Sequence, residues 1–340
     1  MRMEDVAEQM IAELEAVGLK RREIAHEVRK ITALADRRGL PFQAYVEGSR
    51  ADLCGTTHYT VCLDRRPDQY RIRDYDIQFA PFPVVQHGMF NGVNTKELEE
   101  AMAVIPWDKD DYILRGDRSA PVFNDDIEQV LLRIAFIAES AEGRYIGDML
   151  QLKYMQRLGV AEVLIRDEVW QTMAGLPQVH AVFTPDVSLQ TANHLVAGRA
   201  VMVPPEQGQF AEAQRWKIME GVAEDCTPII KEIDGYSWQT LHHQLCRIIP
   251  EGTNVADAAY RLCSGELLAV QTAQGRARFL RANPLSRDID LLTPDKVNVP
   301  LELRKAPDNL EKRYDKSIRP PDRNRIRKVT AKNRRNRKGL

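Results

Sequence analysis

The chain has 340 residues, 44% hydrophobic and 29% charged, with 48 basic against 49 acidic side chains. That apolar fraction excludes wholesale disorder, the length suits two or three domains of roughly 100–200 residues each, and no run reaches the ~18 apolar residues of a membrane-spanning helix. The opening Met1-Arg2-Met3-Glu4-Asp5 carries acids in place of an apolar signal core, so a cytoplasmic protein without membrane contact is expected.

In chain order, Val6, Met10, Leu14 and Val17 recur at helical spacing up to a stop at Gly18, and Ile24, Val28, Ile31 and Leu34 define a second helix closed by Arg37-Arg38-Gly39. From Leu40 the texture turns to β, with strands expected around Phe42–Val46, Tyr59–Leu63, Tyr70–Ile72 and Tyr75–Phe79 and turns at Gly48-Ser49, Gly55-Thr56 and Arg66–Asp68. Residues 95–104 and 124–158 read as helical. Val160–Ile165 and Val179–Phe183 read as short strands, followed by a helix that Asp186 or Ser188 could cap. Pro204–Gly208 reads as a linker. A helix over 236–249, a second capped by Thr253 or Asn254, and a hairpin over 267–280 then have the order of a winged helix. The expected class is therefore α+β: N-terminal helices (1–39), a β-rich region (40–123), an α/β region (124–208), a winged-helix-like unit (209–293), and a linker with a disordered basic tail (294–340).

The five cysteines, Cys54, Cys62, Cys226, Cys246 and Cys263, are odd in number and include no C-x-x-C pair, which argues against a disulfide framework or a structural zinc. His242 and His243 are adjacent and so diverge on a helix instead of sharing a metal. No P-loop, GxGxxG, HExxH or GxSxG motif occurs.

Val179–Arg199 and Ala258–Pro284 resemble the second half of TnsA-type endonuclease subunits of heteromeric transposases, about a third of the chain. The resemblance implies a nuclease core followed by a winged-helix region that contacts a partner ATPase. Such a core needs carboxylates and a Gln/Glu-x-Lys pair on a strand to hold Mg²⁺. Asp148 with Gln151-Leu152-Lys153 are the nearest candidates, and they fall in a segment that reads as surface helix.

A second constellation, Gly48-Ser49 followed by Asp74-Tyr75-Asp76, is similar to nucleotidyltransferases, where a Gly-Ser turn cradles phosphate and two aspartates on one strand face share Mg²⁺. The spacing is longer than that family uses, and a β-meander with Asp74 and Asp76 on its exposed face competes with it. His58, His87, His180 and His194 could each act as a base but lie in no recognisable context. Trp107 opens an acidic stretch and is expected to pack.

The near-zero net charge hides a split. Residues 312–340 hold thirteen basic side chains and only Asp315 and Asp322 as acids, so the tail carries +11 and the preceding 311 residues −12. With four aliphatic residues and Pro320-Pro321, the tail is expected to be an extended arm that neutralises phosphates. Arg323, Arg325, Arg327, Lys328, Lys332, Arg334, Arg335, Arg337 and Lys338 are its candidate nucleic-acid contacts, joined by Arg276, Arg278 and Arg281 of the hairpin. The charge suits DNA or RNA, and DNA is the expected partner. The expectation is thus a nucleic-acid-binding protein of a mobile element or phage, within a transposase-like DNA-processing assembly. The alternatives are a Mg²⁺-dependent nucleotidyltransferase or nuclease using Asp74 and Asp76, or Asp148 and Lys153, and an assembly protein whose tail clamps an acidic subunit.

Overall fold

The computed structural model describes residues 3–301 except 40, 68, 106, 108–112, 116–121, 158–164, 203–213, 250–252, 273 and 300. Helices α1 (Met3–Ala16) and α2 (Arg21–Arg38) form the expected N-terminal pair, separated at Gly18, whose φ of 91° favours glycine.

Strands β1 (Gln43–Ala51), β2 (Gly55–Arg65), β3 (Tyr70–Pro81) and β8 (Val179–Phe183) make one antiparallel sheet in the order β1-β2-β3-β8. The two strands expected over 70–79 are one strand, because a bulge opposite Cys62 and Leu63 absorbs Arg73 without ending the pairing. The inward positions Val46, Val61, Tyr75 and Ile77 are fully buried beneath α1, α2 and the later helix α7 (Leu189–Val196). The alternate positions Tyr45, Glu47, Ser49, His58, Gln78 and His180 face outward and are exposed. The register aligns Ser49, His58, Gln78 and His180 in one row and Glu47, Thr60, Asp76 and Val182 in the next.

Between β3 and β8 the chain forms the short hairpins β4–β5 (Met89–Phe90, Val93–Asn94) and β6–β7 (Ile113–Arg115, Val122–Phe123), and helices α3 (Thr95–Ala103), α4 (Asp125–Ile137), α5 (Ala141–Tyr154) and α6 (Asp167–Ala174). The single helical stretch expected over 124–158 breaks at Ser140, which caps α5 by accepting from the Gly143 N–H. A second core gathers Leu98, Ile127, Val130, Leu150, Leu152 and Val169. Trp107 packs into it and donates from its indole to the Met102 carbonyl at 2.7 Å. The strand expected over 160–165 and the linker at 204–208 lie almost wholly outside the described residues.

A third core lies under β9 (Val201–Met202), β10 (Trp216–Val222), β11 (Pro228–Ile233), α8 (Trp238–Ile248), α9 (Val255–Cys263) and the antiparallel sheet β12 (Leu268–Gln271), β13 (Ala277–Asn283), β14 (Asp288–Leu292). Ser188, Ser237 and Asn254 cap α7, α8 and α9 in turn. After β14, residues 294–299 form a strap across earlier elements. The Pro294 carbonyl accepts from Lys153 Nζ at 2.7 Å, Asn298 Nδ2 donates to the Phe82 carbonyl at 2.9 Å, and the Val299 carbonyl accepts from Arg281. Among the described residues no helix is long and apolar enough to cross a membrane.

Candidate functional site

The residues singled out for metal chemistry do not converge. Gly48 and Ser49 form no phosphate-cradling turn: both lie inside β1, where Gly48 pairs with Tyr59 and leaves room for its ring. Asp74 and Asp76 do share the outward face of β3, but they are spent separately. Asp74 accepts from Arg73 Nε at 2.7 Å, and Asp76 accepts from His180 across the strand pair.

Asp148, Gln151 and Lys153 are on α5, as the helical reading required, and not on a strand. Asp148 pairs with Arg166 at 3.0 Å. The surface expectation fails for Gln151 and Lys153, both buried, the Lys153 ammonium lying 2.7 Å from Glu99 Oε1. Tyr154 donates to the same oxygen at 3.1 Å, and His87 Nε2 lies 2.9 Å from the other. Burial pushes the Glu99 carboxyl up, but His87 and Lys153 outweigh it and hold the group below its ordinary value. This cluster ties α3 to α5, with Glu99 Oε1 taken by Lys153 and Tyr154 and Oε2 facing His87.

Two of the three hairpin arginines are engaged within the fold, and Arg276 stays largely exposed. Arg281 is buried, and its guanidinium sits 2.8 Å from Asp290 on β14, the third strand that sequence reasoning did not anticipate. Arg278 reaches Glu100 on α3 at 3.4 Å, with Arg276 at 4.0 Å from the same residue. The exposed side of α9 presents Asp257, Tyr260 and Arg261, and Arg261 pairs with Glu266 at 2.8 Å. The tail candidates Arg323, Arg325, Arg327, Lys328, Lys332, Arg334, Arg335, Arg337 and Lys338 lie outside the described residues.

Two histidines take up distinct positions. His194 on α7 is buried and hydrogen-bonded to the Ser264 carbonyl. Burial and the nearby Arg199 push it down to about 4, so it is neutral near pH 7. Beside it Arg199 pairs with Asp52, whose other oxygen accepts from the Cys54 N–H at 2.6 Å. Burial pushes the Cys54 thiol up to about 12, which makes it inert. His180, in contrast, stands on the open sheet face, and its two ring nitrogens address two partners, Asp76 and Cys226.

Comparison with protein-family models, curated proteins and solved structures returns no match for this chain. The geometry therefore stands alone.

Cys226 joins His180 and Asp76 from the β10–β11 turn. Its Sγ is 3.3 Å from His180 Nδ1. The Cys226 N–H donates to the Ala223 carbonyl at 3.0 Å, the Ala223 N–H to the Thr227 carbonyl at 2.9 Å, and Cys226 has φ 65°. This is the three-residue hairpin in which a turn is followed by a left-handed residue, a place usually taken by glycine. The Cys226 carbonyl accepts from the Val182 N–H at 2.9 Å, so β8 both carries His180 and fixes the loop that carries the thiol. Sequence reasoning had Asp76 and His180 as separate candidates and gave Cys226 no role. The available signal was the Glu224-Asp225 turn pair with a cysteine, not glycine, following it.

Proposed function

We propose that the chain binds nucleic acid through the basic arm at 312–340, with the folded body as its scaffold. The observation that carries this is the charge division, +11 in 29 residues against −12 in the remainder. The body adds a supporting point: two of its three candidate wing arginines, Arg278 and Arg281, are paired within the fold, which shifts phosphate contact toward the arm. The strap at 294–299, held at Pro294, Asn298 and Val299, ends 13 residues before the arm begins. Fully extended, residues 312–340 reach on the order of 100 Å from their start, at about 3.3–3.6 Å per residue. Membership of a transposase-like DNA-processing assembly is the sharper form of the proposal, resting on the resemblance of the C-terminal half.

Binding of a labelled DNA duplex, and of an RNA of equal length, is measured across a salt titration for the full chain. The comparison is the chain with Arg334, Arg335, Arg337 and Lys338 changed to glutamine. Each phosphate contact contributes about 0.9 to the logarithmic salt slope on B-DNA, so loss of four lowers the slope by about 3 to 4. Equal slopes for both proteins, or no binding at low salt, overturn the proposal and leave the arm to an acidic protein partner.

A further inference from the structure

From the arrangement of Asp76, His180 and Cys226 we infer a second, thiol-dependent activity: hydrolysis of activated acyl esters or thioesters at the mouth of the groove beside β8. Three observations combine. The first is the order of the groups. A carboxylate can only accept, so His180 Nε2 carries the hydrogen given to Asp76, and Nδ1 is left as the acceptor facing the thiol. That is the order nucleophile, base, orienting acid that activates a thiol. A bound metal does not explain the cluster, since the imidazole lies between the other two groups and one ion cannot reach both of its nitrogens and the outer ligands.

The second is the loop. A side chain in the left-handed region is disfavoured relative to glycine, and here it belongs to the residue that presents the thiol to the base. Strain of this kind gathers at functional sites. The third is space. A groove of about 460 Å³ opens beside His180, the one member of the triad that lines it, with Val179, Val196, Met219 and Val222 as apolar walls and Gln178 and Glu220 as polar ones. Its size is in the range of small-ligand sites.

The chemistry closes without a further reagent. The thiol proton passes to His180 Nδ1 as sulfur bonds to the acyl carbon. The bond from that carbon to the leaving oxygen or sulfur then breaks, and the leaving group takes the proton from Nδ1. Water gives a proton to Nδ1, adds to the acyl carbon and releases the acid, restoring the thiol. The two N–H groups nearest the thiol in sequence are committed, the Cys226 N–H to Ala223 and the Thr227 N–H to the Asp225 side chain at 3.0 Å. Loss of these two as oxyanion donors forfeits on the order of 10²–10³-fold for each, which favours esters and thioesters with good leaving groups over amides. The mixed lining, with Glu220 among the walls, suits a short uncharged acyl chain and disfavours an acidic one.

The test uses the full chain and p-nitrophenyl butyrate, following p-nitrophenol release and locating the acyl group by peptide mass mapping. Cys246 is the internal comparator, an exposed thiol beside a histidine that stacks on Trp238. The expected result is acylation of Cys226 at least tenfold faster than of Cys246, followed by turnover. His180→Ala slows Cys226 acylation by roughly 100-fold or more, and Asp76→Asn slows it to a smaller degree. Cys226→Gly abolishes it while raising the melting temperature, since glycine relieves the left-handed position. Equal acylation of the two cysteines, or an unchanged rate in His180→Ala, overturns the inference, and a Cys226→Gly chain that is folded and still as active does the same.

Discussion

Replacing Lys153 by methionine keeps most of the side chain's length and apolar stem but removes the ammonium that faces Glu99. Both side chains are nearly dry, 7% and 2% exposed. Removing one partner of a buried pair costs about 3–5 kcal/mol, because the other charge is left uncompensated. Tyr154 and His87 still address Glu99, so the lower end of about 3 kcal/mol is expected near pH 7. The pH dependence carries the sharper signature. With Lys153 present the Glu99 carboxyl sits below its ordinary value of 4.5. It therefore contributes stability that is in place above that value and is lost as pH falls through the lower folded one. In the variant, burial acts against a weakened opposition and the carboxyl moves up, so taking on a proton relieves the buried charge. The gap between the two proteins should therefore narrow between pH 7 and pH 4. Urea unfolding followed by tryptophan fluorescence measures it, and Glu99→Gln combined with Lys153→Met should be more stable than Lys153→Met alone. A cost below about 1 kcal/mol, or a gap that widens in acid, would refute the reasoning.

His194→Asn tests the buried imidazole. The unfolded chain takes up a proton near pH 6.5 and the folded chain near 4, so wild-type stability falls over that window by roughly 3 kcal/mol at 1.36 kcal/mol per unit. The asparagine variant should show a flatter profile in urea midpoints from pH 7 to 4.5, and an equal slope would count against the assignment. Gly55→Ala should cost about 1–3 kcal/mol, because a methyl there meets the Ala80 carbonyl and the Phe79 ring across the strand pair; calorimetry reads this directly. Asn254→Ala removes the side chain that accepts from the Asp257 N–H at 3.1 Å and should cost about 1 kcal/mol in thermal melts.

Local signals carried a good deal of the fold. Gly18 and Gly265 end helices with φ near 90°, Asn254 and Ser188 cap where their side chains suggested, and the alternation of Tyr75 and Ile77 with Asp74 and Asp76 is the burial pattern of β3. What failed was non-local. Arg281 reads as wing charge until β14 is laid against β13 and brings Asp290 opposite it. Lys153 reads as a solvated helix residue because Glu99 is 54 positions away. The strand β10 went unseen, since its half-buried pattern alternates weakly and Glu220 bulges out of its pairing with β11. The thiol cluster was invisible for the same reason: Asp76 and Cys226 flank His180 at separations of 104 and 46 residues, and only the β3–β8 pairing closes those distances.

The late arrival of β8 also bears on how the chain is made. The edge of β3 from Tyr75 to Phe79 waits for a partner that follows about a hundred residues later. At roughly 5–20 residues per second of synthesis, that edge stays unpaired for on the order of 5–20 seconds while the helices between are being added. An open, apolar-flanked edge is a template for another nascent chain, so pairing errors on the ribosome should centre on β3. The β10–β11 loop emerges later still, which leaves Cys226 the last of the three groups to take its place.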